Sequence, residues 1–479
     1  MALPPDNWEE ELAKRDRKIE ELTTQLAAAM QLILELRAQI AKNSQNSSKP
    51  PSSDMPGTRP PKDKHSKRRK RGGQPGHEAH FAGVPERVDR VVQHRASSCM
   101  HCDANLAGAE DTGSCISHYV YALPEIRPIV TDNQCIDVRC TECGLVTPAS
   151  LPPEVPRGQY DPSVQAMTGL LRGELRQGVR QTSAVMTKVL HVPMSTGMVA
   201  KIQEQVSRAL ANPHREALAH VQASERVHAD ETGWREDKKK AWLWVAVAGL
   251  VTVFLVRTSR GAQAAKDLLG ESFGGILITD RWASYNWVER TRRQLCWSHL
   301  KRDFKSFLDY GADAKRVAER LLCQHRRLFR LWRRTRDGTL GRAEFQMAAR
   351  PIRRQMLALL EEGRGLPCTK VAGMCKQILK HQVALFTFID VEHVEPTNNA
   401  AERAVRFAVL MRKGCFGSDS ARGSRFIERF LTVRATLRSQ KRDLYEYLKA
   451  ACAAAHNGVA APSLLPDSAR ATDQLPLAA

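Results

Sequence analysis

The sequence contains no uninterrupted apolar run long enough to cross a lipid bilayer. Its first residues, Met1 to Glu11, are polar and acidic, whereas a secretory signal peptide begins with basic residues followed by an apolar segment. These absences argue against a membrane protein and against a secreted one. We therefore expect a cytoplasmic protein with no membrane partner.

Cysteine is also scarce, with 12 residues in a chain of 479. A disulfide scaffold needs a far higher density of cysteine, so disulfides are not expected. Four of the cysteines nevertheless form two Cys-x-x-Cys pairs, Cys99 with Cys102 and Cys140 with Cys143. Paired cysteines of this kind indicate metal binding in a reducing compartment.

Acidic residues are fewer than basic ones: the chain has 52 Asp and Glu residues and 73 Lys and Arg residues, and its formal net charge is +21. Such a balance favours polyanionic partners, with nucleic acid ahead of an anionic membrane surface. The alternative is a basic protein that has no such partner, because net charge alone does not distinguish the two. The length of the chain predicts two or more domains.

Apolar residues repeat at a spacing of seven near the N-terminus, at Leu12, Ile19, Leu26, Ile33 and Ile40. This heptad pattern predicts a coiled-coil, leucine-zipper-like helix over residues 8–42, and hence a homo-oligomer. The alternative is one amphipathic helix that packs on its own chain.

Residues 43–80 are rich in Ser, Asn, Pro and Gly and cannot bury apolar surface, which predicts a disordered linker. The linker contains a basic run that can follow DNA phosphates without reading sequence, or that is simply a solvated stretch of charge. The run comprises Lys62, Lys64, Lys67, Arg68, Arg69, Lys70 and Arg71.

The cysteine pairs lie within residues 81–150, for which we predict a zinc-finger-like module resembling a zinc ribbon. Cys99, Cys102, Cys140 and Cys143 supply the four soft ligands that a tetrahedral structural Zn²⁺ prefers. The gap between the pairs is long for this signature, and independent buried cysteines are the alternative. Competing ligands are His101, Cys115 and Cys135.

Helical spacing of apolar residues continues over residues 160–215. Ser183 to Leu190 and Ser195 to Val206 resemble a helix-turn-helix, with Ser195 as the cap of the second helix. We predict a helical region that binds DNA, although two helices joined by a turn are often purely structural.

Strand patterns begin at residue 227. Val227 to Asp230 is predicted as a short strand ending on an acid, followed by a hairpin (Trp242 to Ala248 and Val251 to Arg257), a helix (Ala262 to Leu269) and a buried strand, Gly275 to Asp280. This order is that of a ribonuclease-H-like core. The predicted fold class is therefore multidomain α+β.

Acidic residues at these positions indicate metal-dependent phosphodiester chemistry, in which two Mg²⁺ (or Mn²⁺) ions about 4 Å apart activate the nucleophile and stabilise the leaving oxygen. Asp230 and Asp280 are two of the predicted ligands. Glu402 is the third, in the opening turns of a helix that Thr397 or Asn398 can cap. The alternative is an exposed helix with routine ion pairs.

These motifs together resemble a known family, the DDE transposases of the insertion sequence 66 family. The resemblance covers nearly the whole chain and implies that the catalytic acids are Asp230, Asp280 and Glu402. The motifs, in chain order, are Asn46 to Asp54, Gly72 to His77, the cysteine pairs, His228 to Thr232, Cys296 to Leu300 and Asn398 to Arg403.

The resemblance also places Cys296 and His299 in a Cys-x-x-His motif beside the second acid. His299 is then predicted to orient a carboxylate or to approach the scissile phosphate; the alternative is a packed cysteine and a helix-capping histidine. Asn399, Arg403 and Arg406 surround Glu402 in sequence and are predicted to orient it or to contact DNA. Where the family often has Asp-Gly-Tyr, this chain has Asp280-Arg281-Trp282.

The implied architecture is a DDE catalytic core over residues 224–440 with a helical insertion at about 312–388, then a C-terminal helix and disordered tail over 441–479. Arginines in the insertion are predicted to contact the DNA backbone. The implied activity is binding to the terminal inverted repeats of an insertion sequence and strand transfer by a DNA 3′-hydroxyl. Partners would be double-stranded DNA, in a nucleoid-associated location, and accessory proteins that the element encodes.

Two other functions fit the same residues. One is a noncatalytic DNA-binding regulator derived from a transposase. The other is a ribonuclease-H-fold nuclease that hydrolyses DNA without joining it.

Overall fold

The computed structural model describes residues 8–40, 42–43, 84–152, 155–156 and 158–466. The predicted linker therefore lies outside the described residues except for Asn43, as does the end of the predicted tail. Residues 84–128 belong to one compact unit and the other described residues to a second, larger unit. No helix in the described ranges is long and apolar enough to span a membrane.

Helix α1, Trp8–Ile40, has acidic residues in its first turn and Arg37 in its last, in accord with the helix dipole. Its heptad residues face solvent; Ile19 and Leu26, for example, are 61% and 62% exposed. Contact with the rest of the unit occurs near the C-terminal end, where the Thr369 hydroxyl lies 3.3 Å from Glu35 Oε1. The apolar stripe of α1 is thus left uncovered along most of its length.

The unit formed by residues 84–128 contains an isolated antiparallel bridge between Ser98 and Asn105. In the larger unit, strands β1 (Val138–Arg139) and β2 (Val146–Thr147) pair with each other. Each of these short ladders brackets one Cys-x-x-Cys turn.

Four helices precede the central sheet: α2 (Pro162–Gly173), α3 (Val179–Lys188), α4 (Thr196–Ala209) and α5 (Ala211–Ala223). Ser195 Oγ accepts the Met198 N–H at 3.2 Å, so the predicted cap is confirmed. Helix α3 begins at Val179 and not at Ser183, because the Gln181 side chain accepts the Gly178 N–H at 2.6 Å and supports an earlier start.

The central sheet comprises β3 (Arg226–Glu236), β4 (Lys239–Ala248), β5 (Val251–Arg257), β6 (Ile276–Thr279) and β7 (Arg293–Leu295). Its strand order is β5-β4-β3-β6-β7. The first three strands form an antiparallel meander, whereas β6 runs parallel to β3 and β7 parallel to β6. Helix α6 (Ala262–Leu269) connects β5 to β6, and its predicted bounds are confirmed.

The prediction that the first strand of the sheet ends at Asp230 was wrong. The β3–β4 pairing continues from Asp230, opposite Val245, to Glu236, opposite Lys239. Beyond Asp230, Glu231 and Trp234 are buried and Arg235 is exposed, so the strand stays packed against the rest of the unit. Asp230 therefore lies in the middle of a long strand.

The two faces of the sheet pack against different helices, as the alternation of side chains requires. Leu243 and Val245 pack with Ala401 and Val405 of α12 (Asn399–Cys415). Trp244, on the opposite face, belongs to the core that includes α5 and α6 and two C-terminal helices, α13 (Ala421–Ser439) and α14 (Leu444–His456).

Strand β5 is an edge strand that is covered by side chains of α13. Backbone N–H groups of Thr252, Phe254 and Val256 donate to Thr436 Oγ1 at 3.0 Å, Thr432 Oγ1 at 2.9 Å and Glu428 Oε1 at 2.6 Å. These acceptors are spaced one helical turn apart, and they occupy N–H groups that would otherwise be open to another strand.

Between β7 and α12 the chain is helical: α7 (Trp297–Ser306), α8 (Ala312–Arg336), α9 (Arg342–Arg364), α10 (Thr369–Leu379) and the single turn α11 (Thr387–Asp390). These helices share a separate core, in which Trp297 contacts Phe386 and Phe388. The region is thus packed on its own and joins the sheet beside β7.

Candidate active site

The register of the sheet brings Asp230 and Asp280 to the same level. Strands β3 and β6 are parallel neighbours in which His228 pairs with Ile278. Asp230 lies two residues beyond His228, and Asp280 lies two residues beyond Ile278, directly after β6. Neighbouring parallel strands keep such positions adjacent, so the two acids occupy one region of the sheet.

Glu402 reaches this region because the start of α12 is bonded to the acid-bearing strands. The Asn398 side-chain amide donates to Ala229 O at 2.7 Å, next to Asp230. The Asn398 backbone N–H donates to Cys296 Sγ at 3.1 Å, and the Cys296 N–H donates to Thr279 O at 2.8 Å, next to Asp280. Asn398 was predicted as a helix cap and does stand at the cap position, but its side chain bonds to β3 instead of the helix.

The charges of the neighbouring acids act on Asp230. Burial raises the pKa of Asp230 well above its ordinary value, and the charges of Glu231, Asp280 and Glu402 add to the increase. Mutual repulsion of carboxylates is relieved by bound cations. The arrangement is thus chemically suited to hard divalent ions that prefer oxygen ligands.

A buried glutamate beside Asp230 forms a network that the sequence did not predict. Glu231 Oε1 accepts the Arg260 Nε and Nη2 groups at 2.9 and 2.7 Å, and Glu231 Oε2 accepts the Tyr285 hydroxyl at 2.7 Å. Only 1% of the Glu231 side chain is exposed. These bonds tie β3 to the segments that follow β5 and β6.

Arg260 is further held by aromatic rings. Its guanidinium lies 3.6 Å from the centroid of Trp282 and 4.6 Å from that of Trp242. The Trp282 backbone N–H donates to Asp280 Oδ1 at 2.8 Å, so the stacked indole and the acid belong to one turn. The departure Asp280-Arg281-Trp282 is the one sequence signal that could have pointed to this stack.

A second residue that the sequence did not reveal lies behind Asp280. Arg293 is buried, and its guanidinium donates to Thr279 Oγ1 at 3.2 Å and to Asp280 O at 3.3 Å. Burial lowers the pKa of Arg293 to about 10, an effect that the charge of Asp280 opposes. Arg293 therefore supports the backbone that positions Asp280.

Cys296 and His299 lie beside Glu402. Cys296 Sγ is 3.8 Å and His299 Nδ1 is 3.5 Å from Glu402 Oε1. Cys296 stands at the N-cap of α7, so His299 is not the capping residue of that helix. The preceding strand β7 ends at Leu295, because Cys296 already begins the turn into α7.

Burial lowers the pKa of His299, and the positive charge of Arg302 acts in the same direction, while Asp280 and Glu402 oppose both. At neutral pH the imidazole is therefore uncharged and offers one donor and one acceptor nitrogen.

The other residues predicted around Glu402 lie on the same helix. Asn399 is half-buried at the first position of α12, and Arg403 and Arg406 are exposed. Burial lowers the pKa of His228 to about 4, and the positive charge of Arg403 acts in the same direction.

Each Cys-x-x-Cys pair, taken by itself, occupies a tight turn. Asp103 N–H donates to Cys99 O at 2.9 Å, and Gly144 N–H donates to Cys140 O at 3.0 Å. Backbone hydrogen bonds from the turns lower the pKa of Cys99 and of Cys140, first from His101 and from Cys143, respectively. Turns that stabilise the thiolate suit zinc ligation, while the complete ligand set stays a prediction from the sequence.

Comparisons with known proteins agree with this description. Residues 3–82 match a family of unknown function, DUF6444. The chain is 25% identical over 389 residues to an uncharacterised protein, y4hP, of Sinorhizobium fredii, covering 73% of this chain and 69% of that protein. Residues 157–425, more than half of the chain and all the predicted catalytic acids, match the model of the transposase IS66 family. The chain therefore belongs to the IS66 family of transposases.

Proposed function

We propose that the chain is a DNA transposase that binds the terminal inverted repeats of an insertion sequence and catalyses DNA cleavage and strand transfer with two Mg²⁺ (or Mn²⁺) ions. The ligands would be Asp230, Asp280 and Glu402. The main support is the placement of these acids: the sheet register aligns the first two, and Asn398 bonds the start of α12 to β3 directly and to β6 through Cys296.

The topology of the sheet supports a ribonuclease-H-like core. An antiparallel meander, a crossover helix and two parallel strands occur in that order, and the acids lie on the central strand and at the end of its parallel neighbour. The helices between β7 and α12 would then be the predicted insertion into this core.

Bound metal ions would activate a water molecule or a DNA 3′-hydroxyl and stabilise the leaving oxygen. The charges of both other acids act on Asp230, which would therefore serve both metal positions. Glu231, held by Arg260 and Tyr285, would keep the adjacent carboxylate oriented. The neutral His299 would donate a hydrogen bond near the scissile phosphate.

DNA binding would use the basic surface of the chain. Helix α8 has an exposed arginine-rich face, and arginines suit contacts to backbone phosphates. The face comprises Arg326, Arg327, Arg330, Arg333 and Arg334. The α3–α4 pair would present its second helix to the duplex.

The exposed heptad stripe of α1 would join copies of the chain in a homo-oligomer.

Strand transfer on double-stranded DNA that contains an element end tests this proposal. Asp230→Asn, Asp280→Asn and Glu402→Gln should each abolish Mg²⁺-dependent joining while DNA binding persists, because only the metal ligands are lost. Glu319→Gln, at an exposed position on α8, is the matched control and should stay active.

The products separate the competing functions. Hydrolysis without joining would indicate a nuclease, and DNA binding with no metal-dependent product would indicate a regulator. Undiminished joining in all the acid variants would refute the proposed site.

A further inference from the structure

We infer that Cys296, His299 and Glu402 form a binding site for a soft divalent transition metal such as Zn²⁺, distinct from the proposed Mg²⁺ site but sharing Glu402 with it. Within the described chain these residues offer ligand atoms that all lie within 4.8 Å of one another. The inference rests on the proposed function only where it assigns Glu402 to both sites.

The spacing of the ligand atoms matches that of a tetrahedral zinc site. Ordinary Zn–S, Zn–N and Zn–O bonds separate a sulfur from an oxygen ligand by about 3.6 Å and a nitrogen from an oxygen ligand by about 3.4 Å. The corresponding distances are 3.8 Å from Cys296 Sγ to Glu402 Oε1 and 3.5 Å from His299 Nδ1 to the same oxygen. These two distances therefore lie within a few tenths of an ångström of ligation geometry, and the ligand atoms of Cys296 and His299 lie within 4.8 Å of each other.

The polar atoms at this site are poised for a metal. His299 Nδ1 is buried and has no hydrogen-bond partner among the described residues, which is costly for an imidazole nitrogen unless another ligand occupies it. Cys296 Sγ accepts the Asn398 N–H at 3.1 Å, which orients the sulfur. Burial raises the pKa of the Cys296 thiol to about 11, so a bound metal would have to displace the thiol proton. The site thus has an unused nitrogen beside a sulfur that is already an acceptor.

The chemistry of the donors selects the metal. Mg²⁺ prefers oxygen ligands, whereas thiolate and imidazole favour Zn²⁺ and its neighbours in the transition series. Cys296, His299 and Glu402 would complete three positions of a tetrahedron and leave the fourth open. A soft metal bound there would withdraw Glu402 from the Mg²⁺ site and so inhibit strand transfer.

Titration of the full chain with Co²⁺ tests the inference, because cobalt bound to a thiolate gives a sulfur-to-metal charge-transfer band. The wild-type protein should bind one equivalent more than Cys296→Ser or His299→Ala, and the difference spectrum should contain that band. Glu402→Gln should weaken the extra site by at least about tenfold. Taking differences removes the contribution of the Cys-x-x-Cys pairs.

Cys375→Ser is the matched control, since Cys375 is also buried but is not in the cluster, and it should bind like the wild type. Serine at position 296 can still accept the Asn398 N–H, and circular dichroism verifies folding. Should Cys296→Ser unfold, His299→Ala alone decides. Equal stoichiometry and spectra in the wild type and the folded variants would overturn the inference.

Mg²⁺-dependent strand transfer, measured in parallel without cobalt, keeps the two proposals apart. A chain that shows the extra cobalt site but no strand transfer would retain this inference and lose the proposed function. A chain that joins DNA but lacks the extra site would do the reverse.

Discussion

The hydrogen bonds between α13 and the edge strand β5 allow us to predict how much unfolding free energy is lost when Thr432 is replaced. This residue is fully buried, and its hydroxyl accepts the Phe254 N–H at 2.9 Å while donating to Glu428 O at 2.7 Å. Thr432→Val keeps the shape of the side chain but removes the acceptor. The Phe254 N–H is then buried without a partner, which costs about 1–3 kcal/mol.

Two measurements follow from this change. Chemical denaturation should show a loss of unfolding free energy in that range, and hydrogen exchange should show faster exchange of the Phe254 amide, because its only bond to α13 in the described structure is gone. A matched control is Thr335→Val on α8, whose hydroxyl donates to Leu331 O, a carbonyl of its own helix. That carbonyl is expected to keep its helical bond, so the control should lose less.

A Thr432→Val protein whose stability and Phe254 exchange are no different from those of the control would contradict this role of the Thr432 hydroxyl. Faster exchange spread evenly over the sheet would also contradict it, since the deleted bond is local to β5.

Three further predictions concern charge, assembly and pH. Arg260→Met should destabilise the chain by roughly 2–4 kcal/mol because Glu231 would keep a buried charge without its ion pair, and adding Glu231→Gln should restore most of the loss in denaturation experiments. Leu26→Glu, which puts a charge in the heptad stripe, should lower the mass measured by light scattering, whereas Thr24→Glu, at an exposed position on the opposite face of α1, should not. Burial raises the pKa of Glu428, so the folded chain holds this proton to a higher pH than the unfolded chain does. The stability of the wild type relative to Glu428→Gln should therefore fall as the pH rises from the ordinary glutamate pKa through the raised one. An unchanged difference between their denaturation midpoints over this pH range would contradict the prediction.

Local patterns in the sequence were sufficient for many elements. Helix α6 has the predicted bounds, the hairpin formed by β4 and β5 turns at Gly249 and Leu250 as expected, and Ser195 caps α4. Such features depend on residues close together in the chain, where alternation, capping and turn preferences act directly.

Features that depend on distant partners were missed or misplaced. The extent of β3 beyond Asp230 is set by its long pairing with β4, which no local signal encodes. Asn398 has the composition of a helix cap, yet tertiary packing places its amide against Ala229 O. The ion pair of Glu231 with Arg260 and the burial of Arg293 could likewise not be predicted, because their partners lie in distant segments of the chain.

The sequence by itself determined the strand and helix pattern, the basic charge and the family to which the chain belongs. It also pointed to Asp230, Asp280 and Glu402 as candidate acids. Only the tertiary structure decided that these acids share an environment, because parallel pairing of β3 with β6 and the bonds of Asn398 join segments that are far apart in the chain. Placing Cys296 and His299 against Glu402 required the same long-range contacts, since ligand geometry arises from packing between elements and not from spacing along one of them.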